Sequence, residues 1–134
     1  MTGARQVLLD TSVIISPPPA GFASIADEVA VSAVSVAELE YGVGAAKDPV
    51  ERQRRRRRLQ IVTGTMEVIP FDAAVAESYG MLANVIRAGG RDPRPRRLDL
   101  LIAATAEWHG LSLATRNVDD FRLLDRVLHV IGVS

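Results

Sequence analysis

Short aliphatic runs recur along this chain, each followed by a segment of helical pattern, and that alternation constrains the fold more than any other feature. Val7–Leu9, Val29–Ala33, Glu67–Ile69, Leu111–Ala114 and Val127–Ile131 read as strands. Between them, Thr11–Ser16 reads as a helix start that Pro17–Pro19 cuts off. A helix is predicted from about Val36 to Ala45, and a second opens at Asp48-Pro49 and runs to about Val62. Asp72 caps a third, which runs to Ala88 and stops at Gly89-Gly90. The stretch "GGRDPRPRR" reads as a loop, Leu98–His109 as a helix with Gly110 past its end, and "TRNVDDF" as a turn into a short helix. Strands separated by helices predict an α/β fold with a central, mainly parallel sheet and helices on both faces. The 134 residues fit one domain, with no repeat and no linker.

The first strand raises a chemical question. In "VLLDTSVII" the apolar run enters Asp10 directly, and no basic residue stands beside it. The chain has no cysteine, which excludes disulfides and thiolate metal sites and fits a reducing compartment. The amino-terminal segment is a poor signal peptide and no apolar stretch is long enough to span a bilayer, so a cytoplasmic protein with no membrane role is expected. Net charge is zero, yet Lys47 is the only lysine, and arginine clusters at Arg54–Arg58 and Arg91–Arg97. Arginine suits phosphate because its planar fork bonds two oxygens at once, although a solvated surface explains either cluster taken alone.

In parallel α/β folds, ligands bind beyond the carboxyl ends of the strands. The acids just after strands are Asp10, Glu38 in the helix after the second strand, and Asp119 or Asp120 after "LSLAT"; Asp99 opens a helix that enters the same sheet. Each has a structural explanation. Asp10 could cap the helix that follows it, Ser35 and Glu38 fit a capping box, Asp99 suits a helix amino terminus, and Asn117 with Asp120 could start a helix. Together they say something else. Carboxylates about 4 Å apart repel by roughly 4 kcal/mol per pair at an effective dielectric of 20. No lysine or histidine in these motifs offsets that repulsion, whereas a hard divalent cation, Mg²⁺ or Mn²⁺, would. His109 and His129 lack partners at metal-ligand spacing, so zinc hydrolase and Ser-His-Asp readings find little support. Trp108 and Tyr79 fit helix faces and read as core or interface residues.

The segments "LLDTSVII", "SAVSVAELEYG", "RLDLLIAATA" and "LATRNVDDF" resemble, in order and spacing, the four acidic motifs of PIN-domain ribonucleases, especially the VapC toxins of bacterial toxin–antitoxin pairs. The resemblance spans nearly the whole chain and implies a single three-layer α/β/α PIN-like domain over residues 1–134. It assigns Asp10, Glu38, Asp99 and Asp120 to a catalytic, metal-holding acidic site, with Thr11 or Ser12, Thr115 and Asn117 as supporting polar groups. The family's N-x-x-D-F pattern selects Asp120 over Asp119, and Glu40 points away around its helix. It further implies Mg²⁺ or Mn²⁺ as cofactor, an RNA substrate cut to leave a 5′-phosphate, a homodimer, and a VapB-type antitoxin that blocks the site. Arg96, Arg97 and Arg116 would then meet the RNA backbone, while the Arg54–Arg58 run could serve RNA, the antitoxin or neither. The proline-rich, shortened region after the first strand departs from the family pattern at the substrate's edge of the site. Two rivals remain. An aspartyl phosphotransferase wants a second Asp two residues after Asp10, where Ser12 stands, and a non-catalytic RNA- or protein-binding domain could keep the same fold.

Overall fold

The computed structural model describes residues 5–134. Strands β1 (Gln6–Leu9), β2 (Glu28–Ser32), β3 (Glu67–Ile69), β4 (Ser112–Thr115) and β5 (Val130–Gly132) form one sheet in the order β3-β2-β1-β4-β5. Every neighbouring pair is parallel. Helices α1 (Thr11–Ile15), α2 (Ala33–Ala45), α3 (Pro49–Thr65), α4 (Ala73–Ala88) and α5 (Arg97–Trp108) connect them, with 3₁₀ turns at Phe22–Ser24, Arg94–Arg96 and Val118–Leu124. Among the described residues, no helix is long and apolar enough to cross a membrane.

The period-two alternation of a strand sends successive side chains to opposite faces. Val7, Leu9, Val31 and Ala114 face α1, α2 and α3, where Val13, Ile14, Leu39, Val43, Leu59 and Val62 meet them. Leu8, Ala30 and Leu113 face α4 and α5, against Val75, Leu82, Ile86, Leu100 and Ala103. Two cores on either side of one sheet make the expected three-layer α/β/α arrangement. Leu8, Leu82 and Leu113 are fully buried, and each contributes about 1.5–3 kcal/mol through removal from water. Tyr79 packs against the second core, whereas Trp108 is about half exposed at the end of α5.

The capping signals at Asp48 and Asp72 hold: their carboxylates accept from the Glu51 and Val75 amides, each at 3.0 Å. The reading of Ser35 and Glu38 as a capping box does not. Helix α2 begins earlier than expected, and Ser32 caps it by accepting from the Val34 amide at 3.0 Å. Ser35 therefore lies inside the helix and is fully buried. Helix α3 continues past Val62 to Thr65. Strand β5 starts at Val130 rather than Val127, because the amides of Val127 and Leu128 turn back to the Leu124 carbonyl. His129 thus precedes the strand, and its Nδ1 lies 2.8 Å from Ser112 Oγ. Gly110 takes φ +67°, a left-handed conformation that lets the chain leave α5 and enter β4 directly.

Strand order positions the site. The chain moves outward from β1 through β2 to β3, then crosses to β4 and β5 on the other side of β1. The order reverses between β1 and β4, and a crevice opens at the carboxyl ends of strands flanking such a reversal. Asp10 follows β1 and Arg116 follows β4 at that place.

Candidate acidic site

Asp10 is 3% exposed, and its backbone amide extends the β1–β4 ladder by donating to the Ala114 carbonyl at 2.8 Å. It is the residue before α1, yet its side chain makes no capping bond, which removes the bland explanation for its position. Its carboxylate is held instead from the start of α1 and the end of β4. Ser12 Oγ donates to Asp10 Oδ2 at 2.7 Å, and Thr115 Oγ1 donates to the same oxygen at 2.8 Å. Those hydroxyls are fixed in turn, since each accepts a backbone amide: Arg116 N–H onto Ser12 at 3.2 Å and Asn117 N–H onto Thr115 at 3.0 Å. The other oxygen, Asp10 Oδ1, is buried and has no hydrogen-bond partner. Burying a carboxylate without a counter-charge is costly, and Asp10 takes part in none of the ion pairs among the described residues.

Glu38 is linked to Asp10 through the start of α1. Thr11 Oγ1 donates to Glu38 Oε1 at 2.8 Å, and Thr11 and Ser35 hydroxyls meet at 2.9 Å. A hydroxyl has one proton, so with Thr11 committed to Glu38 the Ser35 hydroxyl is the donor to Thr11. Ser35 is thus a site residue that sequence reasoning assigned to a cap. One signal could have found it, since it stands one helical turn before Glu38 and on the same face. Glu40 lies away from this chain of contacts and meets Arg56 of α3 at 3.4 Å.

Asp99, in the first turn of α5, and Asp120, in the last 3₁₀ turn, complete the set. Arg96 Nη1 bridges them, 2.6 Å from Asp120 Oδ2 and 3.4 Å from Asp99 Oδ2. Burial pushes the Asp99 carboxyl above its ordinary range, the Asp10 charge pushes it further, Arg96 opposes the shift, and Asp120 adds to it. The field of both aspartates at Asp99 brings Asp10, Asp99 and Asp120 into one electrostatic group. The sequence offered no lysine or histidine to offset the repulsion among the acids; an arginine, Arg96, meets two of them. Among the described residues, no three Asp, Glu or His side chains are placed together closely enough to hold a metal ion without rearrangement. Asp119 instead points outward, exposed and paired with Arg122, which leaves Asp120 as the acid at the cluster.

An open cleft of about 600 Å³ runs beside Asp99 and Asp120, lined also by Arg91, Asp92, Arg96 and Phe121. Asp10 and Glu38 lie outside that lining. Of the other expected residues, Arg97 is exposed at the start of α5. The Arg116 guanidinium donates to the Ser16 carbonyl at 2.7 Å and so secures the proline-rich segment after α1. Asn117 is exposed and contributes its backbone amide rather than its side chain, and the helix start expected there is a 3₁₀ turn. In α3, Arg55 bonds the Gly42 carbonyl at 2.7 Å and Glu51 at 3.0 Å, so part of the arginine run ties α3 to α2.

A parallel α/β/α domain with acids converging at its strand-order reversal defines a class, and the comparisons supply the family. The PIN domain model matches residues 7–127, and the chain belongs to the PIN-domain family. Toxin FitB of Neisseria gonorrhoeae is 32% identical to it, over 90% of this chain and 94% of that protein. Ribonuclease VapC8 of Mycobacterium tuberculosis is 39% identical over 75% of this chain and 89% of the relative. Among solved structures, a member of the VapBC family of toxin–antitoxin systems, VapBC-5 from Mycobacterium tuberculosis, superposes with a TM-score of 0.84 at 36% identity, covering 96% of this chain and 98% of that one.

Proposed function

We propose that the chain is a metal-dependent endoribonuclease and the toxin of a toxin–antitoxin pair. The observation that carries the metal dependence is Asp10 Oδ1, a buried carboxylate oxygen with no partner, near Asp99, whose proton affinity is raised by burial and further by the Asp10 charge. An anionic oxygen left bare in this way fits a hard cation, and the oxygen-only donor set suits Mg²⁺ or Mn²⁺. Asp10, Asp99 and Asp120 would hold the ion, with Glu38 beside them. The chemistry such an ion would supply there is activation of water as a nucleophile and stabilisation of the charge that develops on a phosphate.

The chain's own groups do the rest. Ser12 and Thr115 fix the Asp10 rotamer, and the Ser35–Thr11 relay fixes Glu38. Arg97, Arg116 and Arg96 would meet RNA phosphates, which positions the strand without reading its bases. Relatives named as ribonucleases and toxins, and solved neighbours that are toxin–antitoxin complexes, support RNA as substrate and a VapB-type antitoxin as partner. The same reading takes the active form as a homodimer and its site of action as the cytoplasm. The test is incubation of the purified protein with total RNA. Cleavage should require added Mg²⁺ or Mn²⁺ and stop with EDTA; cleavage that continues in EDTA rejects the metal dependence.

A further inference from the structure

Arg96 occupies an electrostatically odd place. It is the residue before α5, where the helix dipole disfavours a cation. Its backbone is set by the preceding turn, whose Pro93 carbonyl accepts the Arg96 amide at 3.2 Å, with Pro95 restricting the chain just before it. The guanidinium is drawn back over the helix start by the two carboxylates alone. A single nitrogen, Nη1, contacts Oδ2 of both Asp99 and Asp120, residues that come from different elements. A cation held between those two carboxylates would compete with Nη1 for their charge. The side chain is about half exposed, so solvent is open to it when it leaves.

We propose that Arg96 is a built-in counter-ion of the acidic site, which competes with the divalent cation for Asp99 and Asp120. The proposal rests on the metal-dependent reading above. In the absence of metal, Arg96 offsets part of the repulsion among the acids and keeps Asp120 turned toward α5. Cation binding then carries the cost of breaking its two contacts. The device sets a threshold: the site fills only when cation concentration is high enough to displace the arginine.

The experiment is a Mn²⁺ titration of the whole chain, with the free ion followed by electron paramagnetic resonance, for wild type, Arg96→Gln and Arg96→Lys. Circular dichroism checks that each variant is folded, and melting is recorded with and without Mn²⁺. Half-exposed ion pairs are weak, so Arg96→Gln should bind Mn²⁺ about two- to fivefold more tightly. It should also melt lower than wild type without metal and gain more from Mn²⁺. Arg96→Lys, which keeps the charge, should stay near wild type. Equal or weaker Mn²⁺ binding by Arg96→Gln, with wild type still binding, overturns this proposal and leaves the metal reading standing. Failure of both wild type and Arg96→Gln to bind Mn²⁺ overturns the metal reading and this proposal with it.

Discussion

Replacing Thr115 with valine isolates the hydroxyl that holds Asp10. Thr115 is fully buried, and valine fills nearly the same volume. Two hydrogen bonds disappear: the one donated to Asp10 Oδ2 at 2.8 Å and the one accepted from the Asn117 amide at 3.0 Å. A bond to a charged group contributes about 1.5–3 kcal/mol, and a part-buried amide left without an acceptor adds about 1 kcal/mol. The expected loss is therefore about 2.5–4 kcal/mol. With 134 residues and an unfolding entropy of about 2.1 cal/mol/K per residue, that loss lowers Tm by about 9–14 °C. Thr115→Ser is the control, because it keeps the hydroxyl and removes one methyl, at a cost of about 1 kcal/mol. Thermal and urea unfolding of the metal-free protein would measure both. If Thr115→Val is as stable as Thr115→Ser, the hydroxyl does not restrain Asp10 and the account of the buried carboxylate fails.

Asp99→Asn should stabilise the metal-free protein near neutral pH. The folded carboxyl holds its proton above the ordinary value of 3.8, so its contribution to folding is full below that value and is lost as pH rises through the folded value. The melting advantage of Asp99→Asn over wild type should therefore grow from pH 4 to pH 7; a constant difference would contradict the assignment. Glu38→Gln should lose most RNA cleavage while Glu40→Gln, whose carboxylate meets only exposed Arg56, should be nearly silent. Equal losses in the two folded variants would place the site on the wrong face of α2. Arg55→Ala should cost about 1 kcal/mol of stability by releasing the Gly42 carbonyl. Removing Arg96 and Arg97 together should reduce RNA affinity more than removing Arg55 and Arg58, across a salt series without metal. The reverse order would put the substrate path along α3.

Much of the architecture was legible because it is local. Aliphatic runs mark the strands, Asp72 and Asp48 mark helix starts, and glycine after α4 and α5 marks their ends. The placement of Asp10 was legible too, since a charge following a core strand has few comfortable positions. What misled was local chemistry overridden by partners distant in sequence. Ser35 and Glu38 have capping-box spacing, but Ser32 reaches the Val34 amide first, and Thr11 of another element takes both Ser35 and Glu38. Asn117 resembles a site side chain in its motif, yet the turn after β4 leaves its side chain exposed and uses its amide. Nothing in "RDPRPRR" announces that Arg96 folds back onto Asp99 and Asp120, because that pairing needs Asp120 from a turn more than twenty residues later.

The ends of the RNA products test the central claim most directly. If the carboxylates around Asp10 hold a cation that activates water, wild type with Mg²⁺ should release fragments bearing 5′-phosphates, and Asp10→Asn, though folded, should release almost none. Fragments ending in 2′,3′-cyclic phosphate, formed equally by wild type and Asp10→Asn, would mean that the RNA's own hydroxyl is the nucleophile and that the buried acid has another purpose.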